Sequence, residues 1–131
     1  MRVLILEDDP NDLRLAADTA QGLGIADIDA FMWLNPAKAC FQEGLRGDRP
    51  LPDAIILDLI LGQDSGYESG FEMLRLWHST RAQSRAQMIV WSQSQDWNRE
   101  MCELFNVGAF VNKHEGPSAL SDALRKVSHA A

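Results

Sequence analysis

The sequence predicts an α/β fold with a parallel sheet covered by helices on both faces, on three observations. Short apolar runs alternate with stretches of helical periodicity five times along the chain. Two of these runs, "RVLIL" (2–6) and "AIILDL" (54–59), are almost wholly aliphatic, as strands buried on both faces are. No repeat, linker or low-complexity segment breaks the alternation, so residues 1–131 read as one domain, long enough to bury a core.

The first strand, 2–6, runs straight into Glu7-Asp8-Asp9. Pro10 suits the first helical position and Asp9 the cap before it. Leu13, Ala16, Ala17, Ala20 and Leu23 then recur at helical spacing, and Gly22 and Gly24 close that helix. A second strand spans "IADIDAFMW" (25–33). Asn35-Pro36 opens a helix with Ala37, Cys40, Phe41 and Leu45 on one face, ending near Gly44 and Gly47. The prolines of "DRPLPD" mark a loop before the third strand, 54–59. A helix through Phe71, Leu74 and Trp77 follows, then a fourth strand, "QMIVWS" (87–92). Trp97, Met101, Leu104 and Phe105 form the next helical stripe, stopped by Gly108. The fifth strand is "AFVN" (109–112). Pro117 opens a last helix with Leu120, Ala123, Leu124 and Val127 inward and Arg125 and Lys126 in its final turn.

Composition narrows the function. Nineteen acidic residues against twelve basic ones give a net charge of −7, which argues against a surface built on nucleic-acid phosphates. No apolar run approaches a membrane span, and "MRVLILEDDP" turns acidic too early for a secretory signal. Cys40 and Cys102 lie far apart in apolar helical stripes, without a CxxC spacing. They read as reduced core thiols of a cytoplasmic protein. His78, His114 and His129 are scattered without metal-ligand spacing and read as surface residues. No GxGxxG, P-loop or nucleophile elbow is present.

Ligands of such sheets bind at the carboxyl ends of the strands, so the polar residues delivered there matter most. The first strand delivers Glu7, Asp8 and Asp9, the third Asp58, the fourth Ser92 and the fifth Lys113. Asp58 interrupts an otherwise aliphatic run, where a carboxylate is costly unless paired or metal-bound. Clustered carboxylates suit a hard divalent ion such as Mg²⁺, which accepts carboxylate, water and phosphate oxygens. Asp58 then becomes a nucleophile toward phosphorus, with Ser92 and Lys113 placed to hold phosphoryl oxygens.

These residues carry a resemblance. "RVLILEDDP", "PDAIILDLILG", "MIVWSQS" and "GAFVNK" are similar, in this order, to the segments of a response regulator receiver domain of two-component signalling systems. The resemblance covers essentially the whole chain. It implies a flavodoxin-like doubly wound sheet of strand order 2-1-3-4-5 with five helices. It further implies Asp58 as phosphoacceptor, Glu7, Asp8 and Asp58 as Mg²⁺ ligands together with the Ile60 backbone carbonyl, and Ser92 and Lys113 on the phosphoryl group. Phe110 would be the rotating aromatic switch; read without the resemblance, it is an edge or core residue. The implied activity is not that of an enzyme but of a signalling domain. Its partners are a histidine kinase or histidine phosphotransfer protein and a downstream protein target, with no role for nucleic acid or membrane. Met1 and the absence of an output segment fit a stand-alone receiver.

The chain also departs from the family. His114 follows Lys113 where Pro is usual, so the Lys113–His114 peptide is expected to be trans, with the turn rerouted through Gly116. Gly62 stands where Pro is common, and Trp91 and Gln93 flank Ser92. Of two glycine-aromatic-Glu matches, Gly70-Phe71-Glu72 is preferred, because the first would place Gly70 inside a helix at a cost of roughly 1 kcal/mol. That choice leaves a long loop over 62–70, expected to be mobile and to lie beside the rim. The competing readings are a degenerate receiver acting as a phosphorylation-independent binding module and a Mg²⁺-dependent phosphohydrolase. The second is weakened by Ile60, which stands where an acid/base Asp is needed.

Overall fold

The computed structural model describes residues 1–59, 67–80, 85–93, 100 and 103–130, with backbone alone at 67–69 and 128–130. The elements are β1 (Arg2–Leu6), α1 (Pro10–Gly22), β2 (Asp27–Phe31), α2 (Leu34–Leu45) and β3 (Ala54–Leu57). They continue with α3 (Tyr67–His78), β4 (Gln87–Ser92), β5 (Ala109–Asn112), a 3-10 turn (Lys113–Glu115) and α4 (Pro117–Ala130). All strand pairs are parallel and the sheet order is β2-β1-β3-β4-β5, the doubly wound order expected. The described residues hold four helices rather than five. Of the stripe over Trp97, Met101, Leu104 and Phe105, only Leu104, Phe105 and their immediate neighbours are described; Glu100, Glu103 and Leu104 are helical.

Alternation along the strands divides the core in two. Leu4, Leu6, Ile55, Leu57, Met88 and Val90 face α2 and α3, where Phe41, Phe71 and Trp77 fill the layer. Val3, Ile5, Ile56, Ile89, Trp91 and Val111 face the other way, onto the small residues Ala16 and Ala20 of α1 and the leucines Leu120 and Leu124 of α4. Small residues on α1 bring that helix close to the sheet. Trp77 closes the first layer with an indole hydrogen bond to the Ala86 carbonyl at 2.8 Å.

Local chemistry sets the helix starts. Asp9 caps α1, its Oδ1 accepting from Asn11 N at 2.8 Å and Asp12 N at 3.3 Å, and Pro10 opens the first turn. The turn after β5 is a capping box: Asn112 Oδ1 accepts from His114 N at 2.9 Å and Glu115 Oε1 from Asn112 N at 3.3 Å. The Lys113–His114 peptide is trans, and Gly116 takes a φ of +86°, so the chain turns through that glycine as expected.

Several boundaries differ from expectation. β2 is confined to Asp27–Phe31; it is an edge strand, partly exposed, and gives up both ends of the stretch 25–33. α2 begins at Leu34, and Trp33 sits half exposed before it with no side-chain cap. β3 ends at Leu57, although Asp58 N still donates to Leu6 O at 3.1 Å. α3 begins at Tyr67, so Gly70 lies inside the helix and not before it. The reason is a close approach: a Cβ at Gly70 would lie 2.4 Å from Leu59 Cα and 2.5 Å from the Asp58 carbonyl oxygen. α4 runs on to Ala130, leaving Arg125 and Lys126 exposed before its last turn. Cys40 is a free, buried thiol as expected, while Cys102 lies outside the described residues. His114 is exposed, but His78 is half buried, edge-on to Phe105 with ring centroids 5.0 Å apart.

Candidate phosphoryl and metal site

The carboxyl ends of β1, β3, β4 and β5 bring Glu7, Asp8, Asp58, Ser92 and Lys113 into one rim, joined by the first turn of α1. Glu7, Asp58 and Ser92 are the buried polar side chains among the described residues, and all three are here. Asp58 is held from two sides: Ser92 Oγ donates to Oδ1 and Lys113 Nζ to Oδ2, each at 3.0 Å. Glu7 Oε1 accepts from Asp9 N at 3.1 Å, while Oε2 lies 2.7 Å from Lys113 Nζ. Lys113 also donates to Asp12 Oδ2 at 2.9 Å. These groups line an open pocket of about 330 Å³.

One ammonium serves several carboxylates, and the electrostatics reflect it. Burial pushes the Glu7 carboxyl up from its ordinary 4.5 to about 8, and the neighbouring Asp58 charge adds to the rise, against the pull of Lys113 and the Asp9 N–H. Burial acts to lower the Lys113 pKa, but Asp58, Glu7 and Asp12 outweigh it, so the ammonium is held above its ordinary 10.5. Glu7, Asp8 and Asp58 each offer a carboxylate oxygen, all within 4.8 Å of one another. A buried acid that resists ionisation beside two further carboxylates is a donor set short of positive charge, and hard oxygens at that spacing fit Mg²⁺. The Ile60 carbonyl lies outside the described residues, as do 61–66 of the expected loop.

Two neighbours carry no clear site signal in the sequence. Asp12 reads there as an ordinary first-turn acid, yet one helical turn carries it back over the rim to Lys113. Trp91 reads only as a departure beside Ser92. Its ring lies on the α1/α4 face with Lys113 Nζ 5.1 Å from the ring centroid, a cation–π distance. Phe110 is half buried on the opposite face, against the layer that holds Leu57 and Val90.

Among solved structures, the chain is similar to the BeF3-activated DrrB receiver domain of Thermotoga maritima. That match has 19% identity and a TM-score of 0.73, covering 98% of this chain and 97% of that one. It is likewise similar to the chemotaxis response regulator CheY4 of Vibrio cholerae, with 16% identity, a TM-score of 0.74 and coverage of 96% and 97%. A signal receiver domain of a two-component histidine kinase from Clostridium thermocellum matches with 17% identity and a TM-score of 0.79, over 96% and 95%. No family model and no curated protein matches the sequence. The fold is therefore that of receiver domains, across nearly the whole chain. No helix among the described residues is long and apolar enough to cross a membrane.

Proposed function

We propose that residues 1–131 form a receiver domain of a two-component response regulator, accepting a phosphoryl group on Asp58 in a Mg²⁺-dependent reaction. The observation that carries this reading is the hydrogen-bonded set Ser92–Asp58–Lys113 beside Glu7 at the carboxyl rim of a receiver-type sheet. The donor is a phosphohistidine on a histidine kinase or phosphotransfer protein. A carboxylate oxygen of Asp58 attacks phosphorus, the P–N bond breaks, and its electron pair leaves with the donor imidazole, which takes up a proton. Glu7, Asp8, Asp58 and the Ile60 carbonyl would hold Mg²⁺, which supplies the charge that offsets both carboxylates and phosphoryl oxygens.

The chain's own groups do the rest. Ser92 and Lys113, which now bind the two Asp58 oxygens, turn their donors to phosphoryl oxygens as charge builds there. Phe110, on the face opposite Trp91, is the aromatic that responds when Ser92 moves. The output is a shifted docking surface for a downstream protein, not turnover of a substrate, and the setting is the cytoplasm. A phosphorylation-independent binding module does not need a buried Asp58 with both oxygens engaged, so no second reading is carried.

Incubation with a small phosphodonor and Mg²⁺, followed by intact mass, tests this. A single phosphoryl adduct that needs Mg²⁺ and disappears in Asp58→Asn is the expected result. A protein that binds Mg²⁺ yet never gains the adduct would sink the reading.

A further inference from the structure

Lys113 and a divalent cation draw on overlapping carboxylates. Nζ lies 2.7 Å from Glu7 Oε2, 3.0 Å from Asp58 Oδ2 and 2.9 Å from Asp12 Oδ2. Glu7 and Asp58 also belong to the three-carboxylate group suited to a metal, and Asp12 does not. Among the described residues, Asp12 is thus the carboxylate partner of Lys113 that lies outside the metal-suited group. We propose that Asp12 is a positioning residue that keeps the Lys113 ammonium at the rim when Glu7, Asp8 and Asp58 are engaged by a divalent cation. The inference rests on the metal reading above.

The surroundings support this role. The backbone of Lys113 is fixed by the capping box of Asn112 and Glu115, so the ammonium relocates through its own side chain. The Trp91 ring limits that movement on one side, at 5.1 Å from Nζ to its centroid. Asp12 itself sits in the first turn of α1, anchored by the Asp9 cap on its own N–H. Its carboxylate is one-third exposed, so the pair survives at the mouth of the pocket without deep burial. Two fixed backbones therefore face each other across a flexible four-carbon stem.

A double-mutant cycle on Mg²⁺ affinity tests it, using calorimetric Kd values for the unsubstituted chain, Asp12→Asn, Lys113→Met and the double variant. Lys113→Met should bind Mg²⁺ more tightly, because a competing cation is gone. Asp12→Asn should weaken binding about tenfold when Lys113 is present and about threefold or less when it is absent. An equal factor in both backgrounds would mean that Asp12 acts only as a nearby charge and overturns the proposal. A second readout needs only Asp12→Asn. With saturating Mg²⁺, acylation of Lys113 by a small amine-reactive ester should rise several-fold over the unsubstituted chain; unchanged acylation overturns the proposal. If the unsubstituted chain binds no Mg²⁺, the metal reading falls and this inference with it. If it binds Mg²⁺ and takes the phosphoryl adduct while Asp12→Asn behaves identically, this inference alone falls.

Discussion

At Glu7 burial and charge are poorly reconciled, with its carboxyl pushed up to about 8. Between 4.5 and about 8 the folded protein keeps a proton there that the unfolded chain has released. The metal-free protein should therefore lose stability as pH rises through that window, with the contribution complete below 4.5. Mg²⁺ requires the ionised carboxylate, so the stabilisation it adds should grow over the same range. Urea midpoints from pH 5 to about 8.5, in chelator and in Mg²⁺, check both slopes. Glu7→Gln should flatten the chelator slope; an unchanged slope would move its origin elsewhere. At this scale the placement of the candidate residues is legible in the sequence, because Glu7, Asp8, Asp58 and Lys113 follow strands, and Ser92 ends one, whose limits the sequence marks. Asp12 is not, since its contact depends on where a helical turn lands relative to a strand 101 residues away.

The helices are legible wherever a local rule sets them, as with the Asp9 cap and Pro10 at the start of α1. The start of α3 is hidden for the opposite reason: it depends on how closely the helix approaches the chain leaving β3. Propensity alone ranks Gly70→Ala as a gain of roughly 1 kcal/mol inside a helix. The added Cβ would meet Leu59 Cα at 2.4 Å and the Asp58 carbonyl oxygen at 2.5 Å, both backbone atoms with little room to yield. Gly70→Ala should instead destabilise by roughly 1–3 kcal/mol and slow phosphoryl uptake by shifting Asp58. Gly22, at the end of α1, is the control, because a methyl group added there would meet nothing within 4 Å. Gly22→Ala should be neutral or gain up to about 1 kcal/mol. Denaturant midpoints of the two variants should move in different directions or by clearly different amounts. The limits of β2 are obscured for a related reason: Ile25 and Trp33 extend the apolar run, but the paired register stops at Asp27 and Phe31.

Across the molecule, the sheet separates two packing layers that share strands but not side chains. Ile55 belongs to the α2/α3 layer and Ile89 to the α1/α4 layer. Ile55→Val and Ile89→Val should each cost about 0.5–1.5 kcal/mol, and the double variant should cost their sum within about 0.5 kcal/mol. A larger coupling, measured by urea titration, would mean that the layers relax together through the backbone.

The same architecture has a consequence in time. A chain leaves the ribosome from its amino end, and Lys113 emerges a hundred residues after Asp12, its partner at 2.9 Å. Until β5 docks beside β4, Asp58 lacks the Lys113 ammonium that follows that strand. On the proposed function, phosphoryl acceptance should therefore appear only once β5 is in place. The candidate site is complete only when its last strand has formed.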